Sequence, residues 1–292
     1  MADERDFDNS SPFRQNLYSE HPDFEALTDE LRQSLFTDVR QETATKNIKA
    51  LILNLFLVWS EDEGACVAIG KTKSAYRAKS RYNPNKVSLK TIDIVDGLIS
   101  SEWLGHQPGF FDRTTQIGRQ TRIWPAQNLV ARFRQMECGP NDIFIHPETE
   151  MVILRNGDKD NIEYDDTDET IEMRELLLNY NSLLARTFVD IPELETPFLE
   201  HGDHQIHITR RDKFVRRIFN NSNWEHGGRF YGGWWQRLPS EHRARIALND
   251  IRTIEDDYSG IHIVLLYAQA RINYWEDVNE DPYQIDIPGI ED

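Results

Sequence analysis

The stretch Ser88-Leu-Lys-Thr-Ile-Asp-Ile-Val-Asp-Gly-Leu-Ile-Ser-Ser-Glu-Trp-Leu104 decides how the first half of the chain is interpreted. Ile92, Val95, Ile99 and Trp103 recur at intervals of three and four residues, which places them on one side of a helix. Ser88 precedes this run, where its hydroxyl can accept a backbone N–H and cap the helix. The spacing therefore predicts a helix over 89–104 with one apolar face.

The segments around this helix complete a recognisable order of elements. An apolar run predicts a buried helix over 46–60, and 75–87 is a basic loop with turn residues at Asn83-Pro84-Asn85. Two strand-like stretches, 104–111 and 121–125, flank the polar tip 112–119. Helix, basic loop, helix and hairpin in this order resemble a winged helix-turn-helix, which implies a helix in a DNA groove and a basic wing beside the backbone.

The charge of the chain is unevenly distributed. Fifty acidic residues against 33 Lys and Arg give −17, which by itself argues against a nucleic-acid partner. Residues 71–134, however, hold twelve bases and four acids, a local charge of +8. A phosphate polymer responds to the local field because the Debye length is only ~8 Å at physiological salt. A second basic cluster lies at 210–217. The candidate nucleic-acid contacts are Lys79, Arg81, Lys86, Lys90, Arg119, Arg122, Arg210, Arg211, Arg216 and Arg217. Basic residues on an ordinary solvated face are the competing explanation.

Several classes of protein are not supported by the sequence. It has no run of ~18 apolar residues, so no membrane-spanning helix is expected. The acidic N-terminus does not resemble a secretory signal, and Cys66 and Cys138 give neither a disulfide framework nor a zinc cluster. A Walker-type phosphate loop is also absent from the sequence. We expect a cytoplasmic protein with reduced thiols.

The most informative chemistry lies in two segments of the C-terminal half. One is Gly227-Gly-Arg-Phe-Tyr-Gly-Gly-Trp-Trp-Gln-Arg-Leu-Pro-Ser240, and the other is Thr253-Ile-Glu-Asp-Asp-Tyr-Ser-Gly-Ile-His-Ile-Val264. The second segment predicts a strand that ends in acids, a turn at Ser259-Gly260 and a helix from about Ile261. Acids at a strand end can hold a hydrated Mg²⁺ and leave positions for substrate phosphates, which suits phosphoryl transfer.

Asp257-Tyr-Ser-Gly-Ile-His-Ile resembles motif A of the family A DNA polymerases, commonly written D-Y-S-Q-I-E-L-R. The resemblance implies that Asp257 binds the catalytic metals and that Tyr258, Ser259, Gly260 and His262 lie at the nucleotide. The preceding Gly228-Arg-Phe-Tyr is similar to the T-G-R-L-S motif of that family, which implies that Arg229 contacts nucleic acid or nucleotide near the primer end. A nucleoside triphosphate and Mg²⁺ are the implied ligands.

Two departures from the family pattern limit what the resemblance implies. His262 stands where the family has the Glu that discriminates against a ribose 2′-hydroxyl, and Val264 replaces an Arg. Only 35 residues follow Asp257, and they contain neither a fingers-type helix nor the acid-bearing turn of motif C. Since two-metal chemistry needs a second metal-binding acid, the expectation is a partial palm that is shortened, completed by a second chain or used for another duty.

Together these observations predict an α+β chain. Residues 1–45 are expected to form an N-terminal extension, 46–138 a winged-helix-like basic domain and 145–292 a partial palm-like domain. The predicted function is nucleic-acid binding related to template-dependent polymerases, with poor or no activity for this polypeptide alone. The alternative is a non-enzymatic winged-helix DNA-binding protein that acts in replication or regulation of a phage or plasmid.

Overall fold

The structure, a computed structural model, describes residues 5, 7, 8, 10–73, 76–201, 204–254 and 260–277. The chain divides into two compact units. The larger unit comprises residues 1–187 and 196–237, and the smaller comprises 188–195 and 238–292. The larger unit thus holds all of 46–138 and also the first part of 145–292.

The described elements mix helices and short strands, which confirms the α+β class. The helices of the larger unit are α1 (Pro22–Leu35), α2 (Gln41–Glu61), α3 (Lys90–Ser100), α4 (Gln127–Phe133) and α5 (Asp168–Arg186). Its strands are β1 (Ser10–Pro12), β2 (Leu17–Tyr18), β3 (Cys66–Ile69), β4 (Leu104–Gln107), β5 (Phe110–Asp112), β6 (Ile117–Arg119), β7 (Thr121–Pro125), β8 (Phe144–Ile145), β9 (Val152–Leu154), β11 (Phe198–His201), β12 (His204–His207), β13 (Arg216–Asn220) and β14 (Asn223–Tyr231). The smaller unit contributes β10 (Val189–Asp190), α6 (Ser240–Arg243), β15 (Ala247–Leu248), β16 (Ile251–Arg252), α7 (Ile261–Gln269) and α8 (Tyr274–Asp277).

Helix α2 is the centre of the first core. Its residues 50–58 are all buried, as expected for a helix that is apolar on every side. The one polar residue in that run, Asn54, accepts the backbone N–H of Arg14 at 2.8 Å and donates to the carbonyl of Arg14 at 2.9 Å. This pair of hydrogen bonds satisfies a buried amide and fixes the N-terminal segment against α2.

A four-stranded sheet of order β1-β3-β7-β4 lies in the same part of the larger unit. Strand β7 runs antiparallel to both β3 and β4, and Ile123 pairs with Val67 on one side and His106 on the other. The hairpin β5–β6 interrupts the chain between β4 and β7, and it exposes Phe110 and Ile117 by 53% and 62%. The predicted strand–tip–strand arrangement is therefore present.

A second sheet of order β14-β13-β9 forms the other core of the larger unit. Parallel pairing joins Arg217 to Val152 and Phe219 to Leu154, and β14 is antiparallel to β13. Buried side chains from this sheet and from α5 form one cluster. Helix α5 begins with a reciprocal cap between Thr167 and Thr170, where each side chain accepts the backbone N–H of the other residue.

Three details of the sequence-based prediction are corrected. Helix α3 ends at Ser100, and Leu104 opens β4 rather than continuing the helix. Ser88 does not cap α3: the cap residue is Leu89, without a side-chain hydrogen bond, and the Ser88 hydroxyl accepts from the Asn47 amide at 3.2 Å instead. The strand expected to lead into the acids is β16, which ends at Arg252.

Candidate nucleic-acid interface

One face of the β14-β13-β9 sheet carries arginines from all three chain segments. Ile218 on β13 pairs with Arg229 on β14 and with Ile153 on β9. Alternate strand residues share a face, so Arg216 lies on the same side as Ile218, and Arg155 on the same side as Ile153. The backbone N–H of Arg155 bonds the carbonyl of Phe219 at 2.9 Å, which continues the ladder past the end of β9.

Arg216 is the least compensated of these side chains. It is half-buried, and its Nε is buried without a hydrogen-bond partner among the described residues. Within the same described residues it makes no ion pair with a carboxylate. Burial lowers the pKa of its guanidinium, and the positive charges of Arg155 and Arg14 lower that pKa further. A partly desolvated cation is thus surrounded by other cations, which is electrostatically unfavourable for the chain by itself.

Arg14 approaches this face from the N-terminal segment that Asn54 holds against α2. Its Nη1 lies 3.5 Å from Oδ1 of Asp212, and Nη2 of Arg237 lies 3.5 Å from Oδ2 of the same carboxylate. One acid is therefore shared by two arginines, at distances that are long for charge-assisted hydrogen bonds. The net charge around Arg216 remains positive.

The neighbouring residues of the 210–217 cluster have other roles. Arg211 is buried, and it donates to the carbonyl of Pro140 at 2.7 Å and to Oε1 of Glu61 at 2.5 Å. Arg217 lies on the opposite side of the sheet, where its Nε donates to the carbonyl of Gly228 at 2.8 Å. Arg210 is exposed, and its guanidinium carbon lies 5.8 Å from the centre of the Phe144 ring. Of this cluster, Arg216 therefore lies on the sheet face with Arg155 and Arg229, whereas Arg211 and Arg217 make hydrogen bonds within the larger unit.

The basic residues predicted for the first half of the chain also separate into two groups. Lys79 and Lys86 are exposed, and Lys90 is 59% exposed and lies 2.8 Å from Asp93. Arg81 instead makes an internal network, with Nη1 3.3 Å from Glu150 and 3.0 Å from Asp166. Its positive charge is therefore neutralised by residues far along the chain.

The two arginines near the hairpin make local contacts. Arg122 donates from Nε to the carbonyl of Phe7 at 2.9 Å and from Nη1 to the carbonyl of Gln120 at 3.1 Å. The guanidinium carbon of Arg119 lies 5.4 Å from the ring of Phe7 and 5.8 Å from the ring of Phe110. Both side chains join the hairpin region to the N-terminal segment.

The polymerase-like residues are only partly covered by the described structure. Asp257, Tyr258 and Ser259 lie outside the described residues. Gly260 has a φ of 65° and stands immediately before α7, as the predicted turn into a helix requires. His262 is exposed on α7, and Arg229 is exposed on β14.

Sequence reasoning missed Arg14 and Arg155. Arg14 lies in a polar stretch without periodicity. The polar Asn54 within an apolar helix indicates a buried hydrogen bond, but the sequence does not show that its partner is the backbone of Arg14. Arg155 follows Ile153 by two residues, so strand alternation places the two together, but its approach to Arg216 depends on pairing between distant segments.

Comparisons with protein families, with curated proteins and with solved structures find no match to this chain. Among the described residues, no helix has the length and apolar character needed to cross a lipid bilayer.

Proposed function

We propose that this chain binds DNA, with the arginines of the β14-β13-β9 sheet holding backbone phosphates. The observation that carries the proposal is Arg216, which is half-buried, has no carboxylate partner among the described residues and is flanked by Arg155 and Arg14. A bound phosphate would supply the missing negative charge and the missing acceptor. Guanidinium groups suit this ligand because their planar N–H groups bond two phosphate oxygens at once.

The edge of the same sheet offers a surface for a base. Tyr231 pairs directly with Arg216 across the β13–β14 ladder and is 41% exposed. Ile153 and Ile218 are buried at the centre of this face, so a strand of DNA would lie along its edge, with phosphates at the arginines and a base against the tyrosine ring. Stacking of this kind contributes about 1–3 kcal/mol per base and tolerates any sequence, so the proposal is sequence-independent binding of single-stranded DNA.

The test is the fluorescence anisotropy of a labelled single strand of about 16 nucleotides, titrated at several salt concentrations. Each lost phosphate contact lowers the salt slope of binding to single strands by roughly 0.7. We expect Arg216→Gln to weaken binding about 10-fold and to lower the salt slope by roughly 0.7. Arg186→Gln is the matched control, because Arg186 is exposed on α5 and donates from Nε to its own helix at Ser182.

Two results would remove the proposal. One is an affinity and salt slope of Arg216→Gln equal to those of the unaltered chain. The other is an equal loss in Arg216→Gln and Arg186→Gln, which would mean that total charge matters rather than this face. Circular dichroism of each variant confirms that it is folded before its binding is interpreted.

A winged-helix mode of duplex binding is the second candidate. It is supported by the strand order β3-β7-β4, by α3 immediately before β4 and by the β5–β6 hairpin between β4 and β7. The exposed charges of α3 are paired, however, since Lys90 lies 2.8 Å from Asp93 and Lys71 lies 2.5 Å from Asp96. This mode predicts preference for duplex over single strands and a larger effect of Lys86→Gln than of Arg216→Gln.

Nucleotidyl transfer remains a further proposal. Its support is that Arg229, which the polymerase resemblance assigns to the primer end, lies on the same sheet face as Arg216 and Arg155. The polymerase resemblance separately assigns Mg²⁺ and a nucleoside triphosphate to Asp257, with a second chain supplying the second acid.

A further inference from the structure

A histidine, an aspartate and a cysteine converge beside the first core of the larger unit, against which Cys138 packs. His21 and Asp23 stand at the start of α1, and Cys138 follows α4 in the chain. One possible ligand atom from each of the three side chains lies within 4.8 Å of the other two. All three side chains are partly buried, so they are shielded from bulk water without being inaccessible to an ion.

From this geometry we infer that His21, Asp23 and Cys138 form a zinc site in which water occupies the fourth position. Imidazole nitrogen, carboxylate oxygen and thiolate sulfur are the three ligand types that zinc uses in proteins. At the usual bond lengths, the ligands of tetrahedral zinc lie about 3.3–3.8 Å apart. Nδ1 of His21 and Oδ2 of Asp23 are already 3.6 Å apart. Binding requires a closer approach of the thiol and release of the Asp23 backbone N–H, which Nδ1 accepts at 3.4 Å.

The surroundings favour a cation. The backbone N–H of Glu137 donates to Oδ2 of Asp23 at 2.7 Å, which fixes the carboxylate next to Cys138. Hydrogen bonds from outside the coordination sphere commonly orient a carboxylate ligand in this way. Asp142 is also close, since its Oδ2 accepts the backbone N–H of Gly139, the residue after Cys138, at 2.8 Å. A second negative charge near the site adds to the attraction for a divalent ion.

Bound zinc would connect the beginning of α1 to the segment after α4, which are more than 100 residues apart in the chain. A metal bridge between distant segments stabilises the folded state because the unfolded chain does not hold the three ligands together. The inferred role is therefore a structural clasp, and it is independent of whether the chain binds DNA.

The experiment uses the full chain, freed of metal with a chelator and then titrated with Co²⁺, whose spectrum reports its ligands. We expect a thiolate-to-cobalt charge-transfer band and the visible bands of tetrahedral cobalt, both displaced by one equivalent of Zn²⁺. Cys138→Ser should lose the charge-transfer band and weaken zinc binding roughly 100-fold. Cys66→Ala removes the other thiol, and Asp142→Asn removes the nearby acid that is not assigned as a ligand. Both controls should keep the spectrum.

A melting temperature measured with and without Zn²⁺ gives the second readout. Zinc should raise it for the unaltered chain and for Asp142→Asn, and leave it unchanged for Cys138→Ser. The assignment is overturned if the unaltered chain shows no thiolate band, if the band survives Cys138→Ser, or if it is lost in either control.

Discussion

Arg81 and Glu150 form an ion pair in which Nη1 lies 3.3 Å from Oε2, and the Glu150 side chain is only 8% exposed. The guanidinium carbon of Arg81 also lies 3.6 Å from the centre of the Tyr164 ring. Arg174 on α5 bonds the same carboxylate from two of its nitrogens, each at 3.2 Å. A basic loop, a sheet and a helix are thus connected through a single acid.

Replacement of Glu150 should lower the stability of the larger unit. Its Oε1 also accepts the backbone N–H groups of Met151 and Val152 at 3.0 and 2.9 Å, so loss of the carboxylate leaves several donors unsatisfied. We expect Glu150→Ala to lower the free energy of unfolding by about 3 kcal/mol, measured by urea denaturation. Glu163→Gln is the control, since Glu163 is 52% exposed and 3.8 Å from Arg81. Equal losses in the two variants would contradict the central role of Glu150.

Replacement of Arg216 should stabilise the folded chain and weaken its binding to DNA. Its charge is half-buried without a carboxylate partner in the described part of the chain, so Arg216→Met removes a repulsion from Arg155 and Arg14 while keeping much of the apolar stem. We expect the melting temperature in low salt to rise and binding to DNA to weaken. A variant that is both less stable and weaker in binding would indicate that Arg216 supports the fold instead.

The response of the melting temperature to added phosphate tests whether Arg216 is an anion site. Anything that binds only the folded state raises its stability by mass action, so inorganic phosphate should raise the melting temperature of the unaltered chain more than that of Arg216→Met. Chloride at equal ionic strength is the control for screening. Identical responses of the two proteins to phosphate would remove Arg216 as an anion site.

The helical elements could be predicted because their signals are local. Helix α2 follows from the apolar run around Asn54, and most of α3 follows from its apolar spacing. Short strands such as β8 and β9 hold only two and three residues, so the local sequence does not identify their partners. Pairing of β9 with β13 joins residues more than 60 positions apart, and one-dimensional patterns do not specify such contacts.

The charged site was predictable only as an excess of bases. Composition identifies 71–134 and 210–217 as basic, yet it does not show that Arg81 and Arg211 are paired with acids inside the unit. Which arginine remains unpaired is decided by tertiary contacts. The same holds for Cys138: counting cysteines argues against a zinc cluster, whereas a mixed set of ligands from distant segments escapes a spacing rule.

The buried hydroxyl of Tyr82 should make the folded chain less stable at alkaline pH. Its hydroxyl donates to the carbonyl of Ile162 at 2.9 Å and accepts the backbone N–H of Leu154 at 3.2 Å, and burial raises its pKa to about 12. In the unfolded chain the pKa of a tyrosine is ~10. Between these values the unfolded chain loses the proton and the folded chain keeps it, so stability falls as the pH rises from about 10 toward 12.

The measurement is the melting temperature across this pH range. Tyr82→Phe should be less stable at neutral pH, because it loses both hydrogen bonds, but it should show a shallower decline above pH ~10. Tyr231→Phe, at an exposed position, is the control and should follow the unaltered chain. Parallel declines for all three proteins would assign the alkaline transition to other groups.

The polymerase-like motif makes a prediction that concerns Asp257 directly. If this carboxylate holds Mg²⁺ for a nucleoside triphosphate, Asp257→Ala should abolish Mg²⁺-dependent nucleotide binding, measured by calorimetry or with a fluorescent nucleotide. Glu241→Gln removes one acidic charge from a 74% exposed side chain of the smaller unit, and it should bind as the unaltered chain does. Arg229→Gln should weaken binding of a primer–template as well, since the same arginine is assigned to the primer end. Nucleotide binding that is unchanged in Asp257→Ala would remove the enzymatic hypothesis. It would not affect the proposal that Arg216 and Arg155 bind DNA, because that proposal involves no metal.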